Sequence, residues 1–358
     1  MPMNRAYHKP ADAMTDSSDP ILAQLGWTRF FSEQVSAEQH RDCQPVRVLS
    51  VHRGKVTVSG KGGEGSISSS LPAQGGSEDR PTVGDWLLID RSTRSIVRIL
   101  SRTSLFKRPS PSDERRVQLI AANIDTLFVV TSCDQDFNVA RLERYLVLTR
   151  EVGVRAVVVL TKPDLSPTPG RLFDAVRALQ SGLEVELVNG RDPTSAARLA
   201  GHCGFGKTVA LVGSSGVGKS TLINTLKGSD SIATQAVRED DGKGRHTTTV
   251  REMHRLAGGA DGGGWLVDTP GMRELQMFEV ASGVTEVFDD VTAVTLACRF
   301  ANCTHGGEPG CAIYAAMTQG DLDPARFERW RKLAQENAEN SRAAVVRRSR
   351  AGKAGNKK

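Results

Sequence analysis

Eight residues, Gly213-Ser214-Ser215-Gly216-Val217-Gly218-Lys219-Ser220, match the pattern G-x-x-x-x-G-K-[S/T]. Glycines in such a turn let backbone N–H groups point at phosphate oxygens, and a helix starting behind them adds positive potential from its N-terminus. In that arrangement Lys219 reaches the outer phosphates, the Ser220 hydroxyl ligates Mg²⁺ and Thr221 follows in the same helical turn. The apolar run Val209 to Val212 before the motif and Thr221-Leu222-Ile223-Asn224 after it supply the strand and helix that the loop needs. Downstream, Trp265-Leu266-Val267 leads into Asp268-Thr269-Pro270-Gly271, a D-x-x-G pattern at a strand end. Asp268 can hold Mg²⁺ through water, and the Gly271 N–H can sense a terminal phosphate. Between these motifs lies Gly244-Arg245-His246-Thr247-Thr248-Thr249. One of its threonines, Thr248 or Thr249 above all, can complete the metal shell, and the His246 imidazole can orient or deprotonate water near neutral pH. The residue after Gly271 is Met272, whose thioether cannot orient an attacking water. The chemistry these residues imply is hydrolysis of a nucleoside triphosphate.

Choosing guanine requires a carboxylate that accepts from N1–H and the N2 amino group, because adenine offers an acceptor at N1 and nothing at C2. Leu160-Thr161-Lys162-Pro163-Asp164 ends an apolar run and supplies that carboxylate in Asp164, with the Lys162 stem placed to lie along the ring. The segment resembles the N-K-x-D motif of GTPases, with Thr161 standing where Asn is usual. This departure puts one purine contact and a tether to the phosphate loop in question, but not the choice of base. The motif ends 49 residues before Gly213, and nothing like it follows Gly271. The domain is therefore read as circularly permuted, which folds tolerate when the original termini lie close together.

Cys298, Cys303, His305 and Cys311 place three thiols and one imidazole within 14 residues. Three sulfurs and a nitrogen fill a tetrahedral zinc shell and leave no open position, so one structural Zn²⁺ is expected and catalysis by it is not. The loop also holds Gly306, Gly307, Pro309 and Gly310, which leaves little core for these side chains to join. Cys43, Cys133 and Cys203 are isolated and read as small core fillers. Without a signal peptide, six cysteines do not make a disulfide framework, and a cytoplasmic location is expected.

These sites need elements to position them. The 358 residues allow two or three domains, and 39% hydrophobic with 25% charged residues excludes a disordered or membrane-embedded chain. No apolar run approaches the roughly 20 residues of a membrane-spanning helix. Charge is uneven: residues 41–108 carry twelve Lys/Arg against six Asp/Glu, and residues 342–358 carry seven basic and no acidic residues. Residues 109–341 carry −5. Basic ends around an acidic middle suit a protein that grips a polyanion with flanking modules, although 342–358 alone also fits a solvated tail.

Residues 1–40 read as a polar N-terminal tail with a short amphipathic stretch near Leu25 to Phe31. Residues 41–110 hold short strands at Val46–Leu49, Lys55–Val58, Trp86–Ile89 and Ile96–Ile99, an OB-like β-barrel with a Gly/Ser-rich loop from Gly60 to Ser77. Such barrels often bind single-stranded nucleic acid, and Trp86 and Phe106 are its aromatic candidates for stacking. In 111–284, strands at Thr126–Val130, Ala156–Leu160, Glu184–Val188, Val209–Val212, Val250–Leu256 and Trp265–Val267 alternate with helices at 139–151, 170–180 and 219–227. That is an α/β P-loop domain with a largely parallel sheet. Residues 285–341 form a zinc-binding and helical domain with a helix over 322–340, and 342–358 a basic tail.

The order of these parts resembles the RsgA (YjeQ) family of bacterial ribosome-associated GTPases. The likeness is carried by Val83-Gly84-Asp85-Trp86, Gln118-Leu119-Ile120-Ala121-Ala122-Asn123-Ile124-Asp125, the phosphate loop, Gly244 to Thr249 and Asp268 to Gly271, across roughly residues 41–340. The resemblance implies an OB-fold barrel, GTP and GDP as ligands with Mg²⁺, and zinc on the Cys/His pattern. It also implies a histidine at the His246 position in hydrolysis, stimulation by the small ribosomal subunit with its rRNA, and a role in late subunit maturation. A monomer with no membrane partner is expected. Two rival readings remain: a P-loop ATPase or kinase, against which Asp164 argues, and an RNA-binding adaptor with a degenerate nucleotide site, suggested by Thr161 and Met272.

Overall fold

The computed structural model describes residues 19–72, 78–110, 117–228, 251–256, 263–268 and 280–355, with side chains to residue 341 apart from Pro109. Three short helices open it: α1 (Pro20–Gln24), α2 (Arg29–Ser32) and α3 (Ala37–Asp42). Asp19 caps α1 by accepting from the Ile21 and Leu22 N–H groups, and Ser36 with Gln39 makes a reciprocal capping box on α3. Leu22, Leu25, Trp27, Phe31 and Val35 are buried there, and Trp27 packs edge-on against Trp86 with ring centroids 4.7 Å apart. The polar tail expected over 1–40 thus gives way to folded chain by residue 19, because an apolar face hidden among polar residues finds a partner in the next module.

That module is an antiparallel sheet of β1 (Cys43–His52), β2 (Lys55–Gly60), β3 (Gly63–Ser68), β4 (Trp86–Asp90) and β5 (Ile96–Ile99), in the order β3-β2-β1-β4-β5. Val46, Val48, Val56, Val58, Ile67, Leu87, Ile89 and Ile96 form its own core. β3 corrects the expected Gly60–Ser77 loop: backbone pairing with β2 from Lys55↔Ser68 to Gly60↔Gly63 makes a strand of residues with little intrinsic preference for one. Trp86 and Phe106 are buried, so neither is available to stack on a base, contrary to the expectation. β6 (Leu105–Pro109) pairs with β7 (Val117–Ala122), so the domain boundary expected at 110/111 falls between two strands of one small sheet.

The central sheet contains β8 (Thr126–Ser132), β9 (Arg155–Thr161), β10 (Glu184–Val188), β11 (Thr208–Val212), β12 (Arg251–Arg255) and β13 (Trp265–Asp268), in the order β10-β9-β8-β11-β13-β12. All pairs are parallel except β12 with β13. Leu127, Val129, Val158, Leu160, Ala210 and Val212 enter one core, while Phe128, Val130, Val157, Val159, Val209 and Leu211 enter another. Each strand therefore sends alternate side chains to opposite faces, and both faces are covered, as parallel strands require. Helices α4 (Val139–Glu151), α5 (Pro169–Arg177), α6 (Pro193–Ala196) and α7 (Lys219–Lys227) connect the strands. β12 also pairs with β1 at Ser50↔Glu252 and Val51↔Arg251, which makes one mixed sheet across the two modules.

The chain ends in α8 (Ala281–Val287), α9 (Asp289–Leu296), α10 (Ala312–Gln319) and α11 (Pro324–Gly355). The join expected at 284/285 falls inside α8. Over 342–355 the expected basic tail is instead a continuation of the α11 backbone, which runs on to Gly355. α8 lies so close to α4 that a Cβ on Gly283 would sit 2.2 Å from the Val147 carbonyl oxygen. Among the described residues, no helix is long and apolar enough to cross a membrane.

Candidate nucleotide site and metal centre

The parallel registers align the C-terminal ends of β8, β9 and β10, with Ser132 and Val188 both opposite Thr161. β11 and β13 end on the same side of the sheet, at Val212 and Asp268. Ligands of open α/β sheets bind at that edge. Gly213 leaves β11 at φ +149°, and a Cβ there would lie 2.2 Å from the Val130 carbonyl oxygen, so only glycine fits. Ser214 is half-buried, Ser215 and Gly216 are exposed, and the Val217 side chain is buried in the core beneath them. Gly218 stands at the N-terminus of α7 in the left-handed region. Lys219 is buried and its Nζ donates to the Gly213 carbonyl at 2.9 Å and to the Ser214 carbonyl, which holds the ammonium inside the loop. Ser220 and Thr221 lie half-buried in the first turn of α7, and Asp268 is half-buried at the end of β13.

Thr161 supplies a tether to the loop that follows β11. Its hydroxyl is buried and lies 2.6 Å from the Val217 carbonyl oxygen and 3.2 Å from the Thr131 carbonyl oxygen. The guanine motif is thereby bonded to the phosphate loop. Lys162 follows with a left-handed φ of 53°, and Pro163–Leu165 makes one 3₁₀ turn that carries Asp164 at the surface. Burial, and then the charges of Asp134 and Asp164, push the thiol of Cys133, just past β8, up to about 11. A cleft of ≈ 640 Å³ opens there, lined by Cys133, Asp134, Gln135, Asp136, Leu165 and Pro167. His246, Thr248, Thr249 and Gly271 lie outside the described residues.

In the C-terminal module the ligand atoms of Cys298, Cys303, His305 and Cys311 all lie within 4.8 Å of one another. His305 Nδ1 is 3.6 Å from Cys298 Sγ and 3.8 Å from Cys311 Sγ. A tetrahedron with ordinary zinc–sulfur and zinc–nitrogen bonds has edges of about 3.5–3.8 Å, so the donors suit that ion in type and number, and the two sulfur–nitrogen separations fall at that spacing. Burial opposes ionisation of Cys298, yet the N–H groups of Ala312 and Ile313 at the start of α10 and the neighbouring thiols pull its thiol below the ordinary value. Glu308 braces the loop by accepting from the Thr304 N–H at 2.7 Å and the Gly306 N–H at 2.8 Å.

The model of the RsgA GTPase family matches residues 99–278. A small ribosomal subunit biogenesis GTPase RsgA of Mesorhizobium japonicum is 47% identical over 333 residues, covering 92% of this chain and 93% of that protein. The chain belongs to the RsgA GTPase family. A second relative, the small ribosomal subunit biogenesis GTPase RsgA 2 of Vibrio parahaemolyticus, is 42% identical over 344 residues, 96% of this chain and 92% of its own. The fold is shared with YjeQ from Thermotoga maritima, at TM-score 0.59 and 24% identity over 82% of this chain and 98% of that one. It is also shared with YloQ, described as a circularly permuted GTPase, at TM-score 0.56 and 22% identity over 85% and 98%.

The RsgA-family core holds further residues at its site that the sequence did not single out. Ser132 and Asp134 stand at the end of β8, and the Arg141 guanidinium donates to Ser214 Oγ of the phosphate loop. Thr225 of α7 donates to the Gly190 carbonyl at 2.6 Å, which brings the loop after β10 to the same edge. The signal for Asp134 was its place just past an apolar strand in a parallel sheet, where side chains meet ligands.

Proposed function

We propose that this chain binds and hydrolyses GTP during late maturation of the small ribosomal subunit, with nucleotide state governing its attachment to and release from the subunit and its rRNA. The carrying observation is the hydrogen bond between Thr161 and Val217, which supports reading the base motif and the phosphate loop as one site despite their permuted order. In this reading Asp164 accepts from guanine, Lys162 and Pro163 flank the ring, and Gly213 to Thr221 cradle the phosphates. Ser220, a threonine of the 248–249 pair and Asp268 serve Mg²⁺, and the Gly271 N–H senses the γ-phosphate. His246 positions the attacking water. The printed names of the relatives support the ribosomal role.

One structural zinc is held by Cys298, Cys303, His305 and Cys311. It supplies folding free energy to a glycine-rich loop and takes no part in the chemistry. The five-stranded module is an OB-like barrel that, with the basic C-terminal end, contacts rRNA phosphates. The protein acts as a cytoplasmic monomer. Phosphate release from GTP and ATP, with and without isolated small subunits, tests this function against both the ATPase and the adaptor readings.

A further inference from the structure

Past the end of β8, one carboxylate gathers three donors. Asp134 accepts from Lys162 Nζ at 2.9 Å, from Ser132 Oγ at 2.6 Å and from the Asp136 N–H at 3.0 Å. Burial works against its charge, but the hydrogen bonds outweigh burial and hold its carboxyl down at about 2. Asp134 is therefore ionised and fixed, and it fixes the lysine in turn. The Lys162 backbone sits in the left-handed region at φ 53°, which residues with a Cβ keep only where their surroundings over-determine it. Neither Ser132 nor Asp134 belongs to a nucleotide motif, yet Asp134 lines the cleft beside Asp164.

A lysine two residues from the base-reading carboxylate raises a problem of charge. If its ammonium paired with Asp164, the carboxylate would be partly neutralised and its lone pairs occupied before guanine arrived. Engagement by Asp134 removes that competitor and anchors the end of the four-carbon stem on a residue that lines the cleft. We propose that Asp134 is a positioning residue for guanine recognition, holding the Lys162 ammonium away from Asp164 and its stem along the purine. This rests on the reading of Asp164 as the guanine acceptor.

The test uses the full-length protein with Asp134→Ala and Asp134→Asn, and measures dissociation constants for GDP, ADP and inorganic tripolyphosphate. Tripolyphosphate engages the phosphate loop alone and reports whether that loop is still folded. Asp134→Ala should weaken GDP binding and shrink the preference for GDP over ADP, each by about tenfold, the scale of one charged hydrogen bond. Tripolyphosphate affinity should not change. Asp134→Asn keeps an oxygen acceptor for Lys162 and should recover part of the preference. An unchanged GDP preference in Asp134→Ala, or a parallel loss of tripolyphosphate binding, overturns the proposal. Asp164→Ala separates this from the reading beneath it: if that variant keeps full preference for GDP, the guanine assignment fails, and the proposal falls with it.

Discussion

The Thr161 hydroxyl oxygen lies 2.6 Å from the Val217 carbonyl oxygen, joining two motifs 56 residues apart in sequence. Both groups are buried and no water is needed between them, so this bond holds the Thr161–Asp164 turn against the loop that follows β11; if those segments bind base and phosphates as proposed, it sets the distance between the two. Thr161→Val keeps the shape and removes the donor, which leaves the carbonyl short of a partner at a cost of about 1–3 kcal/mol. GTP and GDP should both bind about ten- to a hundredfold more weakly, with the preference over ATP retained because Asp164 is untouched. Calorimetric titration of the three nucleotides checks this.

Glu143 has no exposed surface and meets Arg326 at 2.8 Å and Arg329 at 2.7 Å, both from α11. Arg326 also binds Asp290 at 3.0 Å and the Val287 carbonyl at 2.7 Å, so α4, α8, α9 and α11 meet at one charge cluster. Glu143→Ala would take from Arg329 its carboxylate and leave Arg326 with Asp290 and the Val287 carbonyl, a loss of about 2–3 kcal/mol. Denaturant unfolding should show that loss, and limited proteolysis should show earlier cleavage in α11 than in the wild type. A change within about 0.5 kcal/mol would mean that apolar packing of α8 on α4 suffices.

Removal of metal should act locally. The Cys/His loop sits at the margin of a core that it shares with one face of the central sheet, and the Glu308 brace ties it together, while the other face of the sheet has an apolar core of its own. Elemental analysis should find one zinc per chain. Chelation should expose residues near 298–311 to hydrogen exchange while β8, β9 and β11 keep their protection.

Asp134 gives a pH signature whose sign follows from its depressed value. Its folded-state carboxyl lies at about 2 against an ordinary 3.8, so the folded state binds the proton less readily than the unfolded chain. Its stabilising contribution is full above about pH 5 and is lost as pH falls from about 4 towards 2. The stability difference between wild type and Asp134→Asn should therefore be flat from about pH 5 to 8 and vanish in acid. Urea midpoints across that range measure it.

Much of the central sheet was legible because its periodicities are strong. The Glu184–Val188 strand and the helices at 139–151 and 219–227 fall where the sequence placed them, and the neighbouring strands differ by a residue or two at their ends. β3 was not legible, since Gly63, Gly65 and the serines around them become a strand through pairing with β2 and not through their own preference. The N-terminal helices were hidden for a related reason: segments of four to six residues carry too little pattern, and Trp27 and Phe31 declare their role only once Trp86 is beside them. At the site, the phosphate loop and the Cys/His cluster are contiguous words, whereas the partnership of Lys162 with Asp134 joins two loops that only the β8–β9 register brings together.

The most direct test of the account is phosphate release by the purified chain, measured with GTP and with ATP, alone and with isolated small ribosomal subunits. The account predicts slow release from GTP by the free protein and none above background from ATP. With subunits, the GTP rate should rise by at least about tenfold, equivalent to about 1.4 kcal/mol off the barrier, and His246→Ala should lose most of that rise while GTP still binds. Equal release from ATP, or a GTP rate that small subunits leave unchanged, would contradict it.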